Sequence, residues 1–343
     1  MTHAVAGASL VTLAGLLMGT SAWPIKVVRR FRFEHWSFAS GLVGLIVLPW
    51  TITVAFCPDA GAAYRSVPVS TLLISNASSI GWGVANVLCG ICFVRIGVSL
   101  TSAVLTGLGV SVGVSVPMLA KGSGQFSGAP GPASAAGMTV LAGVAVMLVG
   151  VVLACAAGRE REGTAHAERD KPSGMTVGLA MAAVAGILSA GVSFSFVYSQ
   201  GPIVAAMEAR GAGDIPANFS VWAIGLLGGA ITNISYPAYL MTRNRSWSLL
   251  MECPRDLALS LAISIHVCLA IALVGEGMLL FGALGASVGF GIQQATQMIG
   301  SQGVGFVSGE WRGVRRSPRV RMGLAIALLI AAAIIMACGN ALA

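Results

Sequence analysis

Apolar residues fall in ten long blocks, near 4–23, 38–56, 71–94, 97–118, 137–157, 175–199, 219–241, 258–281, 287–308 and 321–341. Each approaches the roughly 20 residues that an α-helix needs to cross the hydrocarbon core of a bilayer. The pattern predicts ten transmembrane helices, the ninth being the weakest because glutamines interrupt it. Small and weakly polar residues mark the third and fourth blocks most regularly. Asn76, Ser79, Gly83, Asn86 and Gly90 fall at relative positions 0, 3, 7, 10 and 14. After a short turn around Arg95-Ile96-Gly97, the same spacing returns in Ser99, Ser102, Thr106, Gly109 and Gly113. Each set occupies one stripe of a helix. In lipid such a stripe either lets two helices approach closely or lines a polar cavity. The glycines and serines favour the seam, whereas the Asn86 carboxamide at mid-membrane depth suits either use.

Composition places the chain in the membrane class. Hydrophobic residues make up 56% of it and charged residues 9%, against about 25% charged in a soluble domain. Of the Lys and Arg residues, 17 lie on the connections after the odd-numbered blocks, and only Arg65, Lys121 and Arg210 lie on the others. The positive-inside rule then puts the basic connections in the cytoplasm and both termini outside. A net charge of +8 is explained by anionic lipid headgroups, without nucleic acid. The first block is expected to stay as a helix, because Lys26, Arg29, Arg30 and Arg32 follow it, the reverse of a secretory signal. The seven cysteines lie almost wholly within blocks, where Cys acts as a small apolar residue.

The second half restarts the first. AGLLMGTS from Ala14 resembles AGILSAGVS from Ala185, and the fifth block resembles the tenth. The mixed-charge segment 159–174 reads as a solvated cytoplasmic linker between a five-helix repeat at 1–158 and another at 175–343. Five spans per repeat force the two halves into opposite orientations, the inverted-repeat plan of secondary transporters. Pro49 and Pro237 fall in corresponding spans, where kinks or breaks are expected. KGSGQFSGAPGPASAAG from Lys121 reads as a flexible outer loop.

The polar residues inside the spans supply the candidate chemistry. Trp82, Asn86, Ser102, Thr106, Ser189, Ser193, Asn233, Tyr236, Gln293 and Gln297 offer amides, hydroxyls and aromatic faces. Amides present donors and acceptors together, which suits vicinal hydroxyls, and an aromatic ring can face the apolar side of a sugar. Helix–helix bonding is the alternative use of each. Glu276 and His266 are the ionisable side chains placed well inside a span and are the candidate proton carriers. Lys26 and Arg95, at inner span ends, are candidate gates, Lys26 otherwise snorkelling to the headgroups. No phosphate loop, acidic metal cluster or catalytic constellation is present, so neither an enzyme nor a bound cofactor or metal is expected.

Several short motifs in order carry a family resemblance. They are Pro24 and Lys26, Leu48-Pro49-Trp50, Trp82-Gly83 with Asn86, and Arg95 with Gly97 and Ser99. Ser189-Ala190-Gly191, Ser193-Phe194, Gly228-Gly229-Ala230-Ile231 with Asn233, and Glu310-Trp311 continue them. Over nearly its whole length the chain resembles the L-rhamnose–proton symporter family of the drug/metabolite transporter superfamily. It departs from that family mainly in spans eight and nine. The resemblance implies a ten-helix, all-α inner-membrane protein that imports a small sugar with a proton. The competing expectations are a metabolite or drug exporter of the same fold and a membrane-embedded sensor.

Overall fold

The computed structural model describes every residue except Met1, Ala22, Gly97 and 166–174. Among the described residues the chain is helical throughout, with no strand. The first half comprises α1 (Thr2–Thr20), α2 (Phe33–Leu42), α3 (Leu48–Phe56), α4 (Ala60–Ser66), α5 (Val69–Ile96), α6 (Val98–Ala120) and α7 (Ala135–Ala165). The second comprises α8 (Met175–Ser189), α9 (Gly191–Glu208), α10 (Asp214–Gly225), α11 (Leu227–Asn244), α12 (Leu249–Glu252), α13 (Pro254–Leu280), α14 (Gly285–Val307) and α15 (Arg316–Asn340). Among the described residues, eight helices are long and apolar enough to cross a membrane, or up to nine if the bent pair α10–α11 counts as one span. The glutamine-bearing α14, 23 residues long, is not among them. The chain is therefore an all-α, polytopic membrane protein.

Two expected breaks are realised differently. In the second span a π-helical turn, Val43–Val47, joins α2 to α3 immediately before Pro49. Proline has no N–H for the carbonyl four residues back, and the ladder widens just upstream. In the seventh span the bend is not at Pro237, which lies buried inside α11. It is a 47° break between α10 and α11 at Leu226. Helix ends in lipid need partners for their backbone groups, and neighbouring side chains provide them. Gly228 N–H donates to Asn76 Oδ1 at 2.8 Å and Gly229 N–H to Ser79 Oγ at 3.1 Å. On the other side of the break, Ser195 Oγ donates to Gly225 O at 2.7 Å.

Two connections also differ from expectation. α7 continues to Ala165, so the start of the 159–174 linker is helical; Arg159, Glu160 and Arg161 are good helix formers, while 166–174 lie outside the described residues. The connection after α6, expected as a flexible loop, is folded back onto the bundle. Phe126, 1% exposed, sits against Phe196, and Ser123 Oγ accepts Gly201 N–H at 3.0 Å.

Candidate functional site

Broken and closely packed helices leave a cavity of about 380 Å³ between the two halves. Glycine seams fix its walls. A Cβ on Gly15 would stand 1.9 Å from Thr296 Oγ1, and one on Gly19 would stand 2.1 Å from Gln297 O. The small residues of α1 thus let α14 approach and bring Gln293 and Gln297 to the cavity, where Gln293 Nε2 donates to Gln297 Oε1 at 2.6 Å. On the opposite wall, Gly83 meets Gly229 O, 2.7 Å from its would-be Cβ. One turn further along that seam, Asn86 Nδ2 donates to Asn233 Oδ1 at 3.0 Å, and Asn233 Nδ2 donates to Gly229 O at 2.9 Å.

Seven of the candidate binding residues line this one cavity: Trp82, Asn86, Ser189, Ser193, Asn233, Gln293 and Gln297. Ser189 Oγ donates to Gly186 O at 2.7 Å, whereas the Ser193 hydroxyl, in a side chain 2% exposed, has no partner among the described residues. Ser102, Thr106 and Tyr236 do not line the cavity. Gly109 and Gly113, on the same stripe as Ser102 and Thr106, turn that face of α6 onto Ser189 and Phe290; the Ser99 side chain lies outside the described residues. Tyr236 instead sits 6.4 Å, centroid to centroid, from Phe33.

The sequence pattern missed Ser37 and Ser40 on α2, Trp222 on α10 and the Val267, Ile271, Val274 and Met278 face of α13. Ser37 precedes the apolar block, and the α13 face has the apolar periodicity of a lipid-facing helix, so neither stood out. Trp222 stacks on Phe196 at 4.3 Å and 17°, closing the floor of the cavity. Its Nε1–H, in a side chain 3% exposed, has no acceptor among the described residues. No described residue lining the cavity carries a charge.

The other candidates stand outside the cavity. Glu276 accepts Asn218 Nδ2–H at 2.7 Å and borders a separate apolar groove between α3, α10 and α13. His266 Nδ1 lies 2.8 Å from Ala262 O on its own helix. Lys26 pairs with Glu310, whose second oxygen accepts Arg161 Nη1–H at 2.6 Å. Burial alone would raise the Glu310 carboxyl, but the hydrogen bond and charge of Lys26, joined by Arg161, hold it below its ordinary value. Arg95 is exposed at the end of α5.

Comparison with known proteins gives a consistent set of relatives. A family model described as L-rhamnose-proton symport protein (RhaT) matches residues 8–342. The L-rhamnose-proton symporter of Shigella sonnei (strain Ss046) is 27% identical over 329 residues, 93% of each chain. The L-rhamnose-proton symporter of Yersinia pestis bv. Antiqua (strain Antiqua) is 30% identical over 214 residues, 62% of this chain and 60% of that one.

Proposed function

The chain belongs to the L-rhamnose-proton symport protein family, and on that footing we propose that it is a proton-coupled importer of a small sugar, L-rhamnose or a related deoxyhexose. The observation that carries this reading is the chemistry of the cavity wall. Asn86, Asn233, Gln293 and Gln297 supply paired donors and acceptors, Ser193 an unpaired hydroxyl, and Trp82 and Trp222 aromatic surface, with no charge among them. An uncharged, polyhydroxylated solute satisfies such a wall, while a cationic drug would lie there without a counter-ion. The volume is at the lower end of the roughly 300–1,000 Å³ of small-molecule sites.

The helix packing supports ten spans arranged as two inverted repeats, 1–158 and 175–343, joined by the 159–174 linker. In the first half α1 packs on α13 and α14 of the second, the eighth and ninth spans. In the second half α8 and α9, the sixth span, pack on α5 and α6, the third and fourth. Each contact is the other shifted by five spans. The α7–α15 pair joins the fifth and tenth spans, and α2–α11 the second and seventh. With the basic connections in the cytoplasm, both termini face outward in the inner membrane. The cavity then reaches from its aromatic floor toward the cytoplasm, past Asn86 and Ser37.

Glu276 is the proton carrier in this reading, and His266, bonded within its own helix, is the alternative. Lys26, through Glu310, ties the end of the first span to the inner end of the fifth. The test is counterflow of a panel of radiolabelled sugars in proteoliposomes, with accumulation driven by a pH gradient measured alongside. Counterflow of L-rhamnose or another deoxyhexose is expected, with accumulation lost far more than counterflow in Glu276→Gln. Transport of amino acids or cationic compounds with no sugar moving would overturn the substrate class. Undiminished accumulation in Glu276→Gln would remove that residue from the proton path.

A further inference from the structure

Glu276 stands behind the cavity wall rather than in it. Its carboxyl borders a groove whose other walls include Leu48, Ile52, Phe56, Ile215 and Phe219, and it accepts from Asn218 Nδ2. Asn218 is 1% exposed, and its Oδ1 has no donor. One turn along α10 is Trp222, which lines the cavity and whose Nε1–H, buried against Gly275, has no acceptor among the described residues. A Cβ on Gly275, the neighbour of Glu276, would stand 2.8 Å from Trp222 Nε1 and 3.5 Å from Asn218 Nδ2. The glycine therefore leaves room for the Trp222 indole N–H beside the Asn218 amide, which in turn reaches the Glu276 carboxyl. Buried polar groups without partners are rare and costly, and two complementary ones one turn apart on α10 call for a functional account.

We propose that Asn218 and Trp222 link the sugar to the proton, Trp222 by recognising a substrate hydroxyl and Asn218 by holding the Glu276 carboxyl in either protonation state. The proposal rests on the reading of Glu276 as the proton carrier. As a carboxylate, Glu276 accepts from Asn218 Nδ2, and a small turn of the indole brings the Trp222 N–H to Asn218 Oδ1. As an acid, Glu276 donates its O–H to Asn218 Oδ1 once the amide rotates. That takes Asn218 Oδ1 away from the Trp222 N–H, and the indole turns it to a sugar hydroxyl at the cavity floor. Protonation then favours sugar binding, and by reciprocity sugar favours protonation. Few other charges enter this exchange. Asp214 begins α10, Cys268 lies two turns back on α13, and His3 is near the start of α1; α3 and α14 carry no charged residue.

The groove gives the test, because an apolar carbodiimide reaches the acid form of a carboxyl from the lipid side. With dicyclohexylcarbodiimide the acid proton passes to one nitrogen, and the carboxylate oxygen bonds the central carbon as one C=N becomes single. Acyl migration to nitrogen then leaves a stable N-acylurea. Labelling of the full chain at Glu276, read by peptide mass spectrometry against pH, is compared with and without L-rhamnose. In the wild type, sugar is expected to move the labelling midpoint to higher pH. Asn218→Ala is expected to raise the sugar-free midpoint, because the bond lost to the charged form is stronger than the one lost to the acid, and to abolish the sugar shift. Trp222→Phe, which removes the indole N–H and keeps a single aromatic ring, is expected to abolish the sugar shift and raise the half-saturating sugar concentration about tenfold. It carries the comparison if Asn218→Ala does not fold. A sugar shift that survives Trp222→Phe, or an unmoved midpoint in Asn218→Ala, overturns the link. If no sugar shows wild-type counterflow, the transport reading falls, and the sugar-free profiles still judge Asn218.

Discussion

The two ends of the bundle are held by different chemistry. At the end with the basic connections the bonds are directional and mostly charged. The Asp256 carboxylate gathers the N–H groups of Arg29, Arg30 and Phe31 at 2.7–3.3 Å, Asn244 Nδ2 donates to Glu34 at 3.1 Å, and Glu310 joins Lys26 to Arg161. Ring pairs occur at both ends, but at the other end no ion pair is found among the described residues and buried aromatic packing carries the contacts. Phe126 meets Phe196, Phe196 stacks on Trp222, and Trp50 packs on Tyr64, whose hydroxyl donates to Ser220 O at 2.7 Å. Packed rings close over the cavity floor by excluding water and solute together. Charged pairs at a wet surface can separate and re-form at small cost. In a transporter that alternates, the first kind of closure demands a concerted movement, and the second yields piece by piece to pH and salt.

The largest expected effect breaks the charged end. Asp256 is 3% exposed and serves three backbone donors of the loop that leads into α2. Asp256→Ala should cost about 4 kcal/mol, from several donors orphaned at once at about 1–3 kcal/mol each. The loss is read as a lower unfolding temperature in detergent. An unchanged unfolding temperature would show that water replaces the carboxylate and that this end is held elsewhere. Phe126→Ala breaks the aromatic end, at about 3 kcal/mol for a buried phenylalanine. Its cost should be indifferent to salt between 0.05 and 0.5 M (about the range over which surface pairs are screened). A strongly salt-dependent cost would dissolve the contrast between the ends.

The same contrast separates what could be read from residue order from what could not. Length and periodicity of the apolar blocks placed the helices, because a bilayer tolerates little else. The small-residue stripes announced close neighbours without naming them. On α5, Asn76 and Ser79 serve the break at Leu226, Gly83 packs on Gly229, and Asn86 reaches the cavity. On α6, with identical spacing, Gly109 and Gly113 pack onto Ser189 and Phe290, while Ser102 and Thr106 miss the cavity. Spacing fixes the face, and only the fold decides what that face meets. Pro237 misled for a related reason. A proline permits a kink, but the bend formed where side chains of α5 and α9 could take up freed backbone groups. The pairings of Asp256 and of Glu310 were equally invisible, since each joins residues more than 100 positions apart.

Between the ends lies the amide pair, which should respond in binding rather than in folding. Asn86 is exposed within the cavity, so its loss leaves little buried and unmet in the empty protein. Asn86→Ala and Asn233→Ala should each weaken sugar binding by about 1–3 kcal/mol, with the smaller change in unfolding temperature for Asn86→Ala. Equilibrium binding and thermal unfolding on the same samples distinguish the two. Normal binding with ready unfolding would make the pair part of the α5–α11 seam and return it to the packing that holds the ends together.

Glu310 carries the smallest effect and tests the charged end most directly. Its side chain is 29% exposed, with Lys26 at 48% and Arg161 at 24%, so solvent screening limits the cluster to about 0.5–1 kcal/mol. Its carboxyl is held below the ordinary value because Lys26 and Arg161 outweigh burial. A carboxyl lowered on folding adds stability above its unfolded value, about 4.3. That stability drains away as pH falls through the lower folded value. Glu310→Gln should therefore unfold about 1–2 °C below the wild type at pH 7, and the gap should close below about pH 4 as the wild-type carboxyl takes its proton. Raising salt at pH 7 should narrow the same gap, since both partners reach solvent. A gap that ignores pH and salt alike would mean that Glu310 acts through packing against Trp311. The charged end would then be held, like the aromatic one, by buried surface.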